Sequence, residues 1–186
     1  MNFAVVRPDV IRAVNQSWLL NMWRRHRGYS PLPRWDTIEK ENLTASAEQL
    51  SFLEVAATGD VTRFRIRSHG AVLGEVYGSP DCSGRFLDEI ISPAQQTNAL
   101  APYRQVVEGK LPIYTIHDMR DRLGRLVNYE RLLLPYSRDR RTVDRVLASF
   151  EFICADGTFE RQGLMRSALV PPTLRLSATI QPSAAA

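Results

Sequence analysis

Cysteine, lysine and long apolar runs are scarce in this 186-residue chain, and each scarcity excludes a class of protein. The two cysteines, Cys82 and Cys154, are too few and too far apart for a disulfide framework or a zinc module. No apolar run approaches the roughly 20 residues that a membrane-spanning helix needs. Arg7, Pro8 and Asp9 interrupt the N-terminal stretch where the apolar core of a signal peptide would lie. These absences predict a cytoplasmic protein without a membrane span.

Positive charge is almost entirely arginine, because lysine occurs only at Lys40 and Lys110 among 24 basic residues. The formal net charge is +4, and the excess lies in residues 120–145. Arginine binds phosphate through a planar fork of donors, so such an excess is one sign of nucleic-acid binding. Here acidic residues lie between the arginines, which is typical of a solvated surface. We therefore expect no nucleic-acid partner from composition alone.

Residues 1–49 predict a helix followed by an extended connector. Pro8 suits a first helical turn, and the cluster Arg24, Arg25 and Arg27 before Gly28 suits the last. Apolar residues between these ends are spaced by three or four positions and form one predicted stripe: Ile11, Val14, Trp18 and Met22. This stripe must be buried, either on the rest of the domain or in a homodimer with a second copy.

From residue 50 the apolar period changes to two, which is typical of half-buried strands. Phe64 and Ile66 alternate with three arginines, and the Thr-Gly-Asp turn at 58–60 predicts a hairpin with the preceding strand. Apolar residues with helical spacing then return until residue 108. The predicted strands are 50–55, 61–67, 111–116, 126–134 and 143–153, and the predicted helices are 71–77, 84–91 and 94–108.

This order of elements predicts an α+β domain over residues 50–155. We expect a five-stranded antiparallel sheet with helices crossing one face and an added N-terminal helix. Residues 156–186 contain Pro171, Pro172 and a terminal run of alanines. They predict a loosely ordered C-terminal tail.

Four short stretches carry a resemblance to a known family. The first joins Trp-Arg-Arg-His-Arg-Gly at 23–28, the end of the predicted helix, to Pro-Arg at 33–34 in the connector. The second is the strand Arg-Phe-Arg-Ile-Arg at 63–67, followed by Gly70. Each of these two is weak evidence alone, and their order along the chain gives them weight.

The other two stretches are more specific. The third joins Tyr-Gly at 77–78 to the turn Gly-Arg-Phe-Leu-Asp-Glu at 84–89. The fourth is Tyr-Glu-Arg-Leu-Leu-Leu-Pro at 129–135, with Val-Asp at 143–144. Together the four span roughly residues 18–153, and on them the chain resembles the bacterial PAS-like sensor domain family, whose ligand is unknown.

The resemblance implies a sensory module with a ligand pocket between the sheet and the crossing helices. It implies no particular cofactor, because PAS domains differ in what they bind. Aromatic side chains and one arginine are the predicted pocket residues: Phe64, Phe86, Tyr103, Tyr114, Phe150 and Arg131.

Arg131 is selected because Glu130 and Arg131 interrupt an otherwise apolar strand. Adjacent strand residues point to opposite faces, so one of the two faces the helices. A buried charge must be paired or serve a ligand. Two hypotheses follow for Arg131, a salt bridge that fixes a helix and a two-pronged contact with an acidic ligand. The salt bridge is the more economical.

The sequence gives only weak support for a bound cofactor or for catalysis. Photoreceptor PAS domains that bind flavin have a cysteine directly before Arg-Phe-Leu, whereas here Ser83 and Gly84 separate Cys82 from that sequence at 85–87, which moves the thiol away from the flavin. His69 and His117 could ligate haem, but lone histidines beside turns are usually solvated. The chain has no nucleophile elbow or phosphate-cradling glycine loop, so we expect no enzyme activity.

Two functions remain open. In the first, a small ligand in the core shifts a homodimer, formed through the N-terminal helix, or the interface with a partner signalling protein. In the second, the core is filled and the basic 120–145 region meets an acidic partner or nucleic acid. The PAS resemblance favours the first.

Overall fold

A computed structural model describes residues 2–58, 61–79, 81–166 and 171–181 of the chain. In this part the helices are α1 Val14–Arg27, α2 Ala71–Tyr77, α3 Leu87–Ile90 and α4 Pro93–Gly109. The strands are β1 Ala4–Val6, β2 Leu50–Thr58, β3 Val61–His69, β4 Ile113–Arg120, β5 Leu126–Tyr136, β6 Arg145–Cys154 and β7 Thr173–Ile180. Short 3-10 turns over Pro8–Val10, Trp35–Lys40 and Thr44–Gln49 fill the connections near the N-terminus.

One sheet contains all seven of these strands in the order β1-β7-β4-β5-β6-β2-β3. The strands pair antiparallel, except that β1 runs parallel to β7. The five predicted strands are β2 to β6, which are contiguous in the sheet, and β2 pairs with β3 as predicted. The α+β class is confirmed, whereas the predicted number of strands is two too small.

The missing strands lie at the ends of the chain. Thr173–Ile180 forms β7, which pairs along β4 and also with Ala4–Val6. The prediction of a loosely ordered tail over 156–186 is therefore wrong for this segment, while residues 167–170 and 182–186 lie outside the described part. The prolines at 171 and 172 suggested an irregular tail, but they end before the alternating Thr173–Ile180 begins.

Side chains on β5 alternate between two buried faces of the sheet. Tyr129, Arg131 and Leu133 face α2, α3 and α4, whereas Leu132 and Leu134 face α1. A strand covered on both faces has little need for polar residues, which explains the long apolar run in this part of the sequence. The sheet therefore separates two apolar cores.

Helix α1 packs on the sheet through a different stripe from the one predicted. Leu19, Leu20 and Trp23 are buried, but Val14 and Trp18 are 83% and 41% exposed. The prediction is wrong for those two residues because the buried stripe contains the polar residue Gln16. Gln16 is buried because its Nε2 donates to the backbone oxygens of Glu130 and Ser149, each at 3.2 Å.

Trp23 fixes the C-terminal half of α1 on the sheet. The indole is fully buried, and its Nε1 donates to the backbone oxygen of Pro135 at 2.6 Å. Arg27 lies over the same ring, 5.8 Å from its centre. Burial of a large aromatic group with its polar atom satisfied is a strong anchor. The N-terminal helix thus belongs to the folded domain.

Candidate ligand-binding pocket

A cavity of about 380 Å³ lies between the sheet and helix α4. Strands β4 and β5 form its floor, and the first half of α4 forms one wall. The segment that leads into β7 contributes to another wall. The described lining consists of Tyr77, Ile91, Ala94, Gln95, Asn98, Ala99, His117, Tyr129, Arg131, Met165, Pro171, Pro172 and Leu174.

Three polar side chains on the floor are brought together by the pairing of β4 with β5. His117 pairs directly with Tyr129, and Arg131 follows two residues further along β5 on the same face. The imidazole and the phenol stack with their centres 4.5 Å apart and their planes 3° from parallel. The alternation of these strands thus places three polar side chains on the floor, beneath walls that combine apolar residues with the amides of Gln95 and Asn98.

Arg131 is 3% exposed and has unmet hydrogen-bonding capacity. Its Nη1 donates to the backbone oxygen of Ala99 on α4 at 3.2 Å. Its Nε and Nη2 have no hydrogen-bond partner within the described residues. No carboxylate of that part of the chain lies within ion-pair distance of it. The expected salt bridge is therefore not what holds Arg131.

Tyrosines surround the Arg131 guanidinium. It lies 5.0 Å from the ring centre of Tyr103. Burial lowers the pKa of Arg131, and the negative charge that Tyr103, Tyr129 and Tyr77 carry only once they lose their protons shifts it upward overall. Burial also raises the pKa of Tyr129 to about 12, with Arg131 acting in the opposite direction. At neutral pH the pocket therefore holds a charged arginine among neutral phenols.

His117 is neutral at physiological pH. Burial, and then the charge of Arg131, lower its pKa from 6.5 to about 3. Its Nδ1 has no hydrogen-bond partner among the described residues. The expectation of a solvated turn histidine is wrong, because β4 continues to Arg120 and places His117 within the sheet.

Protonation of His117 makes the stability of the fold pH-dependent. The unfolded chain binds a proton near pH 6.5, whereas the folded protein resists it until about pH 3. The free energy of unfolding should therefore fall as the pH falls, by about 2 kcal/mol between pH 7 and pH 5 from this residue. Urea unfolding of the native protein and of His117→Asn at both pH values checks this. The free energy of unfolding of the variant should fall by about 2 kcal/mol less than that of the native protein. A folded-state NMR titration of His117 with a midpoint near 6.5 would contradict it.

The predicted pocket residues fall into three groups. Arg131 lines the cavity, and the ring of Tyr103 packs against the Arg131 guanidinium. Phe64 lies behind Tyr103, with ring centres 5.3 Å apart, and Phe150 stacks on Phe152 in the same core. These three aromatic residues support the pocket from behind and do not line it.

Tyr114 and Phe86 are placed elsewhere. Tyr114 faces α1 on the opposite side of the sheet, where its hydroxyl donates to Glu130 at 2.5 Å. Phe86 packs beneath Arg63, whose guanidinium lies 3.7 Å from its ring centre. The prediction failed for both because an aromatic residue in a strand or turn does not reveal which face it occupies. The adjacent Glu130 and Arg131 do face opposite sides, as predicted.

Several lining residues had no distinguishing sequence signal. Tyr129 could have been found from the alternation on β5, which puts it on the same face as Arg131, whereas His117 also needs the pairing of β4 with β5. Pro171, Pro172 and Leu174 could not, because their approach to the pocket depends on the pairing of β7 with β4. The sulfur of Cys82 is buried near Ser79 in the adjoining core, and Cys82 is not among the cavity residues.

Three of the eight arginines in the basic 120–145 region take part in ion pairs. Arg125 pairs with Asp121 at 2.8 Å, and Arg145 pairs with Glu54 at 3.3 Å. Arg138 pairs with Asp144 at 3.7 Å. Together with the burial of Arg131, this pairing reduces the charge available to an acidic partner or nucleic acid.

A sequence model for the PAS domain matches residues 12–151, which include α1, the crossing helices and the pocket floor. The chain belongs to the PAS domain family. The resemblance drawn from four short stretches is thus confirmed. No curated protein and no solved structure gives a significant match to it.

Membership has consequences for function. PAS domains are sensory or interaction modules, and this PAS domain has its cavity between the sheet and α4. Within the described ranges no helix has the length and apolar character to cross a membrane. In the same ranges no three His, Cys, Asp or Glu side chains are grouped to bind a metal ion.

Proposed function

We propose that this PAS domain is a sensory module that binds a small molecule in the cavity above Arg131. The observation that supports it best is a buried cation with unpartnered donors beside a 380 Å³ space. A buried charge is costly unless a partner compensates it. A bound anion would supply that compensation. The filled-core alternative gives no reason for either the space or the charge.

The lining also suits a ligand. Pockets for small molecules combine apolar walls with a few convergent polar groups, and they begin at about 300 Å³. Here the wall contains Ile91, Met165 and Leu174, and the polar groups converge from β4 and β5. Residues 167–170, which lie outside the described part of the chain, contain no Asp or Glu. They therefore offer no carboxylate that could pair with Arg131.

Output from the sensor would pass through a homodimer or a partner signalling protein in the bacterial cytoplasm. Val14 and Trp18 are exposed one turn apart on α1 and give this helix an apolar outer surface. Cys82 and Cys154 are free thiols, which suits a reducing compartment. We propose α1 as the contact surface because it packs on the sheet directly opposite the pocket.

Native mass spectrometry of the freshly purified protein tests the ligand-binding function. We expect a small molecule to be retained by the native chain and lost from Arg131→Met. The control is Arg138→Met, which removes an arginine that is 68% exposed and should retain the molecule. An empty native protein, together with no thermal shift from a collection of metabolites, would contradict ligand binding and favour the filled-core alternative.

A further inference from the structure

We infer that the ligand is a monocarboxylic acid with an apolar body, whose carboxylate binds the Nε and Nη2 donors of Arg131. This inference rests on the proposed function, because it names the chemical class of the ligand for that same cavity. It is carried by three features: the donors that are unpartnered, the single charge of the pocket, and the apolar wall.

The unpartnered donors fit a carboxylate. Nη1 is engaged by the Ala99 backbone oxygen, whereas Nε and Nη2 have no partner among the described residues. These two N–H groups form one edge of the guanidinium, and that edge matches the two oxygens of a carboxylate in parallel hydrogen bonds. Both atoms are buried, so binding in this geometry requires the Arg131 side chain to turn toward the cavity.

The charge of the pocket fits one negative charge. Arg131 is the one ionised side chain of the described lining, because His117 is neutral at physiological pH and Tyr77 and Tyr129 keep their protons. A monocarboxylate is neutralised by one guanidinium. A phosphate dianion would leave a second buried charge without a partner, which is costly.

Helix α4 strengthens the same preference. Its first turn borders the cavity through Ala94 and Gln95. The amino-terminal end of a helix carries partial positive charge and favours an anion nearby. This effect adds to the charge of the buried Arg131 on the floor of the same cavity.

Beyond the polar side chains of the floor, the rest of the described lining selects the body of the acid, and it is apolar except for the amides of Gln95 and Asn98 and the hydroxyl of Tyr77. Small side chains on α4, Ala94 and Ala99, leave the space open beside the sheet. The stacked rings of His117 and Tyr129 offer a flat surface on the floor. The apolar wall residues are Ile91, Met165, Pro171, Pro172 and Leu174. The described lining holds no second ionised side chain, so a second charged headgroup would meet no counter-charge there.

Titration calorimetry with matched pairs of compounds tests the inference. The probes are hexanoate and phenylacetate, their neutral amides hexanamide and phenylacetamide, and inorganic phosphate, each titrated into the full-length protein stripped of any retained molecule. We expect at least one acid to bind, and to bind at least about tenfold more tightly than its amide, because a charge-assisted pair is lost in the amide. Phosphate should not bind measurably.

Variants at Arg131 distinguish the contribution of its paired N–H donors from that of its positive charge. Arg131→Lys keeps the positive charge but loses the planar pair of donors, so we expect acid binding to weaken by about tenfold or more. Arg131→Met should abolish the preference for acid over amide, and Arg138→Met should leave it unchanged. Unaltered acid binding by Arg131→Met would overturn the inference.

The remaining outcomes distinguish the two proposals. Equal binding of acid and amide, or phosphate binding more tightly than both acids, would overturn the carboxylate inference and leave ligand sensing intact. If neither acid binds while the native mass spectrum still shows another molecule, the inference again fails alone. If no molecule binds by either method, both proposals fail.

Discussion

Replacing Arg131 with methionine should raise the free energy of unfolding of the ligand-free protein, by about 1–4 kcal/mol. The native guanidinium is buried with two donors unpartnered in the described structure, so folding removes it from water with incomplete compensation. Methionine matches the arginine side chain to about the position of Nε, is apolar and carries no charge. Loss of the hydrogen bond from Nη1 to the backbone oxygen of Ala99 offsets part of the gain.

Urea unfolding at pH 7 of the stripped native protein, Arg131→Met and Arg138→Met measures this effect. The exposed Arg138 should change stability by no more than about 0.5 kcal/mol. A functional residue that lowers stability is expected at a binding site, where function and stability conflict. If Arg131→Met instead unfolds more easily than the native protein, Arg131 is a structural element, and its role as an anion receptor loses its physical basis.

Truncating Trp23 to alanine should lower the free energy of unfolding by about 3–5 kcal/mol. The indole is fully buried between α1 and the sheet, and its removal leaves a cavity and an unpaired backbone oxygen at Pro135. An effect of this size is expected if α1 is an integral part of the domain. It would not be expected if α1 were a loosely attached handle.

Trp18→Ala provides the matched control for this change. It removes the same side chain from the same helix, at a position that is 41% exposed. Chemical unfolding of both variants should show a far smaller loss for Trp18→Ala. Similar losses for the two would contradict the described orientation of α1. If Trp18→Ala is stable but alters the oligomeric state in light scattering, the proposed contact surface on α1 gains support.

Elements with a simple period could be predicted from the sequence. Helix α2 was predicted at 71–77, the bounds it has in the structure, and the alternation of Phe64 and Ile66 identified β3. The face of α1 could not, because the buried Gln16 depends on carbonyl acceptors 114 and 133 positions away in sequence. Strand β7 was missed because its ladder is formed with β4, and nearby prolines obscured its short alternation.

The candidate site was predicted in its central residue and missed in its surroundings. Arg131 stood out because a charge in an apolar strand must have a reason. The choice between a salt bridge and a ligand contact depended on whether a carboxylate lay within ion-pair distance of Arg131. The sequence could not give that distance. His117 was misjudged because the end of β4 was placed at residue 116 instead of at Arg120. The cavity itself arises from small residues of α4 lying over β4 and β5, which no local pattern reports.

Pairing of the two terminal strands also has a consequence for how the protein folds. Ala4 pairs with Ala178, so this contact closes almost the whole described chain into one loop. Contacts between such distant positions form slowly, because the loop-closure entropy is lost before the contact can compensate it. The segment leading into β7 supplies Pro171, Pro172 and Leu174 to the cavity wall. The wall of the cavity is therefore complete only once β7 docks on β4, and the pairing of β7 with β1 spans the longest stretch of chain in the sheet.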